Sequence, residues 1–265
     1  MTTQTVEVAN GVVMLEKTAG QADLVLADPP YNYGQQYAGY DDNKTEAQYW
    51  AWTTGWLEAA RNALRPSGAL WVFAPDEWVS DIDVHARRKL GFTKQNHVVW
   101  VFTFGQAAQK RFTRSKCHLL YLTKSKTKRT FNADALKVPS ARQLVYGDKR
   151  AQSGGKLPDD TWMLLGSQME PYMTPDTDAW LQSRVCGTFK EREKHSPNQL
   201  PVPIVRRIVE ATTKPGDLVV DPFCGSGTTG VVCKLTGRAF RGYDVSSDAV
   251  KQARRRIAEA VAEIG

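Results

Sequence analysis

The apolar run Ala22-Asp23-Leu24-Val25-Leu26-Ala27 ends on Asp28-Pro29-Pro30-Tyr31, and no other junction constrains this chain as strongly. A run this short and apolar reads as a buried strand. Two successive prolines stop it, because neither can donate to a sheet ladder. A carboxylate and an aromatic ring are thereby delivered to the carboxyl end of a strand, the edge at which open α/β sheets bind ligands. The residue types suit one kind of chemistry. An amino group conjugated to a heteroaromatic base is a poor nucleophile because its lone pair is delocalised into the ring. The Asp28 carboxylate and the Pro29 carbonyl can accept hydrogen bonds from both amino hydrogens. That pairing favours a pyramidal, more nucleophilic nitrogen, and Tyr31 offers a face on which a base can stack. Taken alone, the tetrapeptide is equally consistent with a proline-terminated strand and an Asp turn.

A second signal lies near the other end. Asp217-Leu218-Val219-Val220 runs into Asp221-Pro222-Phe223-Cys224-Gly225-Ser226-Gly227-Thr228-Thr229-Gly230, a strand followed by a glycine-rich turn and a helix expected over 228–235. Glycines there let backbone approach a ligand and leave the first helical N–H groups free to hold an anion. An acidic residue about 20 positions on, at the end of the next strand, would bind ribose hydroxyls. Asp244, after Ala239-Phe240-Arg241-Gly242-Tyr243, is that residue. The spacing differs from the G-x-G-x-x-G of nicotinamide enzymes, and no Lys follows the glycines as in a phosphate-binding P-loop. A small zwitterionic nucleoside fits better than a dinucleotide or a triphosphate.

Together these motifs resemble the amino-methyltransferases of DNA, in the permuted arrangement called the beta class, where the catalytic motif precedes the S-adenosylmethionine motif. Lys194-His195-Ser196-Pro197-Asn198-Gln199-Leu200-Pro201 is similar to that family's His-Pro-x-Gln/Lys-x-Pro segment, from which Ser196 departs. Gly105-Gln106 and Arg111-Phe112-Thr113-Arg114-Ser115 also resemble family blocks, so the likeness covers most of the chain outside roughly 130–185. It implies a Rossmann-like α/β fold: a doubly wound, mostly parallel sheet with antiparallel edge strands, a circularly permuted motif order and a small irregular insertion. Residues 1–129 would form the catalytic part, 186–265 the cofactor-binding part of the same domain, and 130–185 a target-recognition insertion. Asp28, Pro29, Pro30 and Tyr31 would be catalytic. Asp221, Pro222, Phe223, Cys224, Gly225, Gly227, Thr228, Thr229 and Asp244, with Asn198 and Gln199, would hold S-adenosyl-L-methionine. The partner would be double-stranded DNA, entered by rotating the target base out of the stack. Within the family an Asp-led motif resembles adenine-N6 enzymes more often than cytosine-N4 ones, so adenine is expected, with cytosine N4 as the alternative. A homodimer and a cognate restriction enzyme are compatible partners. Two other readings remain: an RNA or protein methyltransferase, which usually carries Asn before Pro-Pro-Tyr and the opposite motif order, and a catalytically inactive DNA-binding protein.

Charge supports a nucleic-acid partner by region. The whole chain carries +7, yet the segment Gly105–Lys156 alone holds thirteen Lys and Arg against Asp134 and Asp148, so the remainder is net acidic. Lys110, Arg111, Arg114, Lys116, Lys126, Lys128 and Arg129 are the expected phosphate contacts. No apolar run approaches the ~18 residues of a membrane span and the start of the chain lacks a basic-then-apolar leader, so a cytoplasmic location is expected. Cys117, Cys186, Cys224 and Cys233 form no C-x-x-C pair, so no zinc site or disulfide framework is indicated and no metal is assigned.

The remaining organisation alternates. Residues 32–44 read as an irregular, mobile loop beside the catalytic motif. Trp50, Leu57, Ala60 and Leu64 mark a helix capped by Thr45 or Asn43 and stopped by Pro66-Ser67-Gly68, its indoles serving as core. A strand is expected over 70–73, a helix over 77–90, an antiparallel pair at 97–101 and 117–122 at the sheet's far edge, and a helix starting near Pro201. A last helix from Ser246 or Ser247 to about Ile264 would bury Val250, Ala253, Ile257 and Val261 and turn Arg254, Arg255 and Arg256 to solvent. Periodicity fails over about 130–184.

Overall fold

The computed structural model describes residues 2–102, 109–110, 112–140, 147, 149–150, 154–162 and 199–261. Eight strands form one sheet: β1 (Gln4–Val8), β2 (Ala22–Ala27), β3 (Leu64–Ala74), β4 (Thr93–Val101), β5 (Lys116–Thr123), β6 (Thr161–Trp162), β7 (Leu218–Asp221) and β8 (Ala239–Asp244). Their spatial order is β1-β8-β7-β2-β3-β5-β4-β6. Every neighbouring pair is parallel except those made by β5, which runs against both β3 and β4. The antiparallel strand is therefore internal. The expected pair is present, but β5 sits inside it and β4 carries the two-residue β6 on its outer side.

The helices form two layers because the central strands are apolar on both faces, the pattern of a covered parallel sheet. On one face lie α1 (Gly11–Lys17), α2 (Glu46–Ala63) and α3 (Val79–Arg88), packed over Val25, Ala27, Leu70, Val72 and Leu120. On the other lie α5 (Val202–Thr212), α6 (Thr228–Leu235) and α7 (Ser247–Glu259), packed over Leu24, Leu26, Trp71, Phe73 and Val219. The one-turn α4 (Ala133–Leu136) precedes β6. The alternation Leu24, Val25, Leu26, Ala27 thus feeds both cores.

Several boundaries follow from local chemistry. Thr45 caps α2 in a reciprocal capping box with Gln48. Leu64 ends that helix by entering β3. Pro66-Ser67-Gly68 is not a turn between elements but a bulge within β3: Ala22 pairs with Leu64 and Leu24 already pairs with Ala69. Gly68 permits it, since a Cβ there would sit 3.0 Å from the Ala22 carbonyl oxygen. The segment after β5 is better tied down than its failed periodicity suggests. Asn132 donates from its side chain to the carbonyls of Glu210 (2.8 Å) and Thr213 (2.7 Å) at the end of α5, and Trp162 is buried in the core. Most of the expected insertion, including 163–185, lies outside the described residues.

The first helix abuts the glycine-rich turn. Asn10 caps α1 by accepting from the Val12 N–H at 3.0 Å, and Gly11 lies so close to the Pro222 backbone that an added Cβ would collide with its carbonyl. Gly11→Ala should therefore lower unfolding free energy by about 2 kcal/mol, the usual cost of overpacking against backbone, read as a reduced urea midpoint at unchanged m-value.

Candidate active site

With β1, β8, β7, β2 and β3 all parallel, their carboxyl ends share one edge. From β2 the chain crosses by α2 to β3 on one side; from β7 it crosses by α6 to β8 on the other. The crevice between β2 and β7 is therefore the topological switch point at which open α/β sheets hold ligands. Asp28 leaves β2 into it, Asp221 closes β7 beside it, and Asp244 closes β8 one strand further.

Around Asp28 the turn is held from several sides. The Tyr31 hydroxyl donates to Asp28 Oδ1 at 3.0 Å and lies 3.7 Å from Cys117 Sγ on β5. Tyr49 on α2 donates its hydroxyl to the Pro30 carbonyl at 2.9 Å. Among the described residues no donor is recorded on the Pro29 carbonyl. The loop that follows is tied back on itself by hydrogen bonds. Asp42, buried, accepts from the backbone N–H groups of Asn32 (2.9 Å), Tyr33 (3.1 Å) and Gln35 (3.0 Å). Asn32, at φ 59°, exchanges hydrogen bonds with the backbone of Lys44. The tip of this loop is a Tyr37–Tyr40 bridge, with Gly39 at φ +80°.

The glycine-rich turn is organised by two carboxylates. Asp221 accepts from the Phe223 N–H at 3.0 Å and from Thr229 Oγ1 at 2.6 Å, tying β7 to the first turn of α6. Asp244 accepts from the N–H groups of Gly225 (3.0 Å) and Ser246 (2.9 Å). Gly225 and Gly227 adopt φ +46° and +79°, conformations that side chains rarely take, and no atom lies within 4 Å of a Cβ built on Gly225.

One cavity of about 430 Å³ joins the two motifs. Asp28, Pro30, Asp221, Pro222, Phe223, Cys224, Gly225, Thr228, Thr229, Asp244 and Gln199 all line it. Tyr31 stands just behind, bonded to Asp28, and Pro29 and Gly227 belong to the same two turns. Asn198 lies outside the described residues, as do Gly105, Gln106 and the stretch 194–198. Four aspartates, Asp28, Asp221, Asp244 and Asp248, line the cavity, and no Lys, Arg or His does among the described residues. Burial makes three of these carboxyls, those of Asp28, Asp221 and Asp244, hard to ionise. Asp28 is raised to about 7, opposed by the Tyr31 hydrogen bond and reinforced by the Asp221 charge. Asp221 is likewise raised to about 7 by burial, against the bonds from Thr229 and Phe223. Asp244 is raised by burial despite its backbone donors. Such a cavity is suited to a ligand that brings positive charge.

Other cavity residues carried no signal in the sequence. Trp52, expected as core, faces the cavity and lies 5.6 Å from Phe223 between ring centroids. Tyr37 and Tyr40 reach it from the loop tip, and the buried Tyr40 hydroxyl has no hydrogen-bond partner among the described residues. Asn10 and Gly11 enter from the start of α1, and Ser246, Asp248 and Gln252 from α7.

The seven expected phosphate contacts are not brought together. Arg114 and Lys116 sit at the start of β5, on the same edge as Asp28, where they pair with acids at the tip of β3: Arg114 with Glu77, Lys116 with Asp76 at 3.3 Å. Lys110 precedes them, exposed, and Arg111 lies outside the described residues. Lys126, Lys128 and Arg129 follow β5 at the opposite edge, about 23 Å away along the length of β5 from Lys116 to Thr123. The reason is the direction of β5, which carries the chain from the front of the sheet to the back. Arg254 and Arg255 are exposed as expected, Arg254 also donating to the Val6 carbonyl at 2.8 Å, whereas Arg256 is half-buried and binds Ser226 and Thr228.

A cavity at this switch point, floored by an Asp-Pro-Pro-Tyr turn and a glycine-rich turn in permuted order, defines a nucleoside-cofactor enzyme of the Rossmann-like group. The chain belongs to the DNA methylase family N6_N4_Mtase, which it matches over residues 22–255, and is a DNA methyltransferase. It is 29% identical over 235 residues to the type II methyltransferase M.HpaI of Haemophilus parainfluenzae, covering 89% of this chain and 68% of that protein. It is 29% identical over 245 residues to the DNA adenine methyltransferase YhdJ of Escherichia coli K12, covering 90% and 77%. Its fold is that of the M1.HpyAVI–SAM complex, with a TM-score of 0.61 at 21% identity and coverage of 95% and 98%.

The raised carboxyls have a consequence for stability. Between the ordinary carboxylate range and about 7 the folded cavity holds protons on Asp28 and Asp221 that the unfolded chain has lost. This contribution is full below about 3.8 and is lost as pH rises through 7. Urea melts of ligand-free protein should show this contribution as stability falling from about pH 4 to 7 and levelling above, and Asp28→Asn should flatten that fall.

Proposed function

We propose that this chain transfers a methyl group from S-adenosylmethionine to N6 of adenine in double-stranded DNA. The observation that carries this reading is the single cavity into which both the Asp28 turn and the Asp221–Thr229 turn open. Its donor set suits the cofactor: Phe223 and Trp52 for an adenine ring, Asp244 for ribose hydroxyls, the start of α6 for a carboxylate, and Asp28 and Asp221 for positive charge. Bound there, the cofactor supplies an electrophilic methyl group on a sulfonium.

The chain's own residues do the rest. Asp28 and the Pro29 carbonyl accept the two hydrogens of the target amine, which replaces the Tyr31 hydroxyl at Asp28. The Tyr31 ring provides a stacking face. Neighbouring positive charge pulls the Asp28 carboxyl back down from about 7, so that it is ionised and accepts its hydrogen of the amine. Holding amine and methyl in line supplies most of the acceleration. A base within a duplex is out of reach of this cavity, so the nucleotide is extruded.

Adenine is favoured by the carboxylate, a stronger acceptor than the hydroxyl of a Ser-led motif, and by the name of the relative YhdJ. The duplex is placed on the edge bearing Lys110, Arg114 and Lys116. Residues 130–185 read the target, and β6 brings part of this segment against β4 close to that edge.

Asp28→Ala should reduce transfer to duplex DNA by about 10³-fold, the scale for deleting one preorganised polar group at the reacting centre, with cofactor affinity retained. Nucleoside mass spectrometry of DNA treated with the wild-type protein should yield N6-methyladenine; N4-methylcytosine in its place sinks the choice of base. Replacing Arg114 and Lys116 with Gln should weaken duplex binding and reduce the slope of log K against log salt by about 2, near 0.9 per lost phosphate contact. The same change at Lys126 and Lys128 should leave the slope as it is.

A further inference from the structure

Arg256 stands outside the cavity, yet it is bonded to two residues that line it. Its Nη1 donates to the Ser226 carbonyl at 2.8 Å, to Ser226 Oγ at 2.9 Å and to Thr228 Oγ1 at 3.1 Å. A guanidinium only donates. A hydroxyl that accepts from it must turn its own hydrogen elsewhere, and Ser226 and Thr228 both border the cavity. Thr228 also opens α6, whose cap position is Gly227 with no side chain to satisfy the first N–H groups. Two hydroxyl donors, a helix start and a delocalised cation behind them therefore meet at one wall.

That wall matters because, among the described residues, every Asp, Glu, Lys, Arg or His lining the cavity is a carboxyl: Asp28, Asp221, Asp244 and Asp248. Three of these are held by neighbours that do not neutralise them: Asp28 by Tyr31, Asp221 by Thr229 and the Phe223 N–H, Asp244 by two backbone N–H groups. A ligand bearing both ammonium and carboxylate has many places in such a cavity for its cation. Its anion needs the positive end of α6 and the guanidinium behind it.

We propose that Arg256 is a positioning residue for the cofactor, acting through Ser226 and Thr228 to make the α6 end of the cavity a receptor for the carboxylate of the methionine moiety. The proposal rests on the S-adenosylmethionine reading above. Arg256 touches no ligand atom. It polarises the two hydroxyls and fixes which way they donate, so its contribution is confined to ligands that carry a carboxylate.

Calorimetric titration of the full chain with two neutral thioethers tests this. S-adenosylhomocysteine has the amino-acid tail; 5′-methylthioadenosine keeps adenine, ribose and sulfur without it. Arg256→Gln should weaken S-adenosylhomocysteine about tenfold, the scale of losing one charge behind a helix start, and leave 5′-methylthioadenosine unchanged. Arg256→Lys, which keeps the charge without the planar fork, should fall between. Equal weakening of both ligands would mean that Arg256 only holds the turn in shape and overturns the proposal, as does no weakening of either. Ser226→Ala combined with Thr228→Val removes the acceptors with Arg256 in place. It should show the same selective loss and decides the matter if Arg256→Gln does not fold. A wild-type protein that binds neither thioether overturns the cofactor reading itself.

Discussion

The site depends on β2 and β7 being neighbours in the sheet. Leu24 pairs with Val219 and Val25 with Val220, and the Leu218 N–H donates to Asp23 Oδ2 at 2.9 Å across 195 residues of chain. Each strand alone delivers half of the chemistry: β2 an acid-proline-aromatic turn, β7 a glycine-rich turn. Only their parallel pairing puts the two turns in one crevice. The pairing is dictated by burial, since Leu24 and Val219 share one core while Val25 and Val220 share the other. A one-residue slip would exchange the faces of every one of these side chains.

Once assembled, the cavity is electrostatically unbalanced. Burying carboxylates beside one another without a cationic side chain costs free energy, which the protein meets by protonation rather than by an ion pair. Salt bridges are plentiful elsewhere, as between Asp83 and both Arg87 and Lys94 on α3 and β4, so the lack of one among the described cavity residues is local. The positive charge is withheld one layer back, on Arg256. A site arranged in this way is completed by a ligand that carries its own cation, and its stability and its affinity are linked through the same protons.

Much of this was legible where residue chemistry punctuates the chain. Prolines and glycines bound β2, β7 and α6, and Asp244 fell at the expected distance because a helix and a strand occupy a nearly fixed number of residues. What was not legible came from three physical sources. Direction is invisible in composition: the basic run looked like one surface, but β5 runs backward and divides it between opposite edges. Helical faces are ambiguous when both sides are apolar, so Trp52 on α2 read as core like Trp56, although one lines the cavity and the other is fully buried. Finally, three consecutive arginines on a polar helix read as solvated, whereas Arg256 turns back to the glycine-rich turn. The loop after Asp28 belongs with these. It is tied back by one buried carboxylate, Asp42, satisfying three backbone donors, an arrangement without a sequence periodicity.

The front edge shows how the surface is connected to the cavity. Asp76 and Glu77, at the tip of β3, gather Lys116, Arg114 and His118, the last at 2.5 Å from Asp76 Oδ1. His118 is in turn 2.8 Å from His97. Glu77 also accepts from the Tyr33 hydroxyl, the Arg114 guanidinium lies over the Tyr33 ring, and Tyr33 packs edge-on against Tyr31 with centroids 5.8 Å apart. The cations nearest the crevice are thus already paired with acids, and one of them is stacked on an aromatic ring that abuts the Asp28 turn. A phosphate arriving at this edge competes with Glu77 for Arg114, and that competition is screened by salt like any exposed pair. Arg114 is therefore joined to the Asp28 turn by two aromatic contacts, its guanidinium over Tyr33 and the Tyr33 ring edge-on to Tyr31.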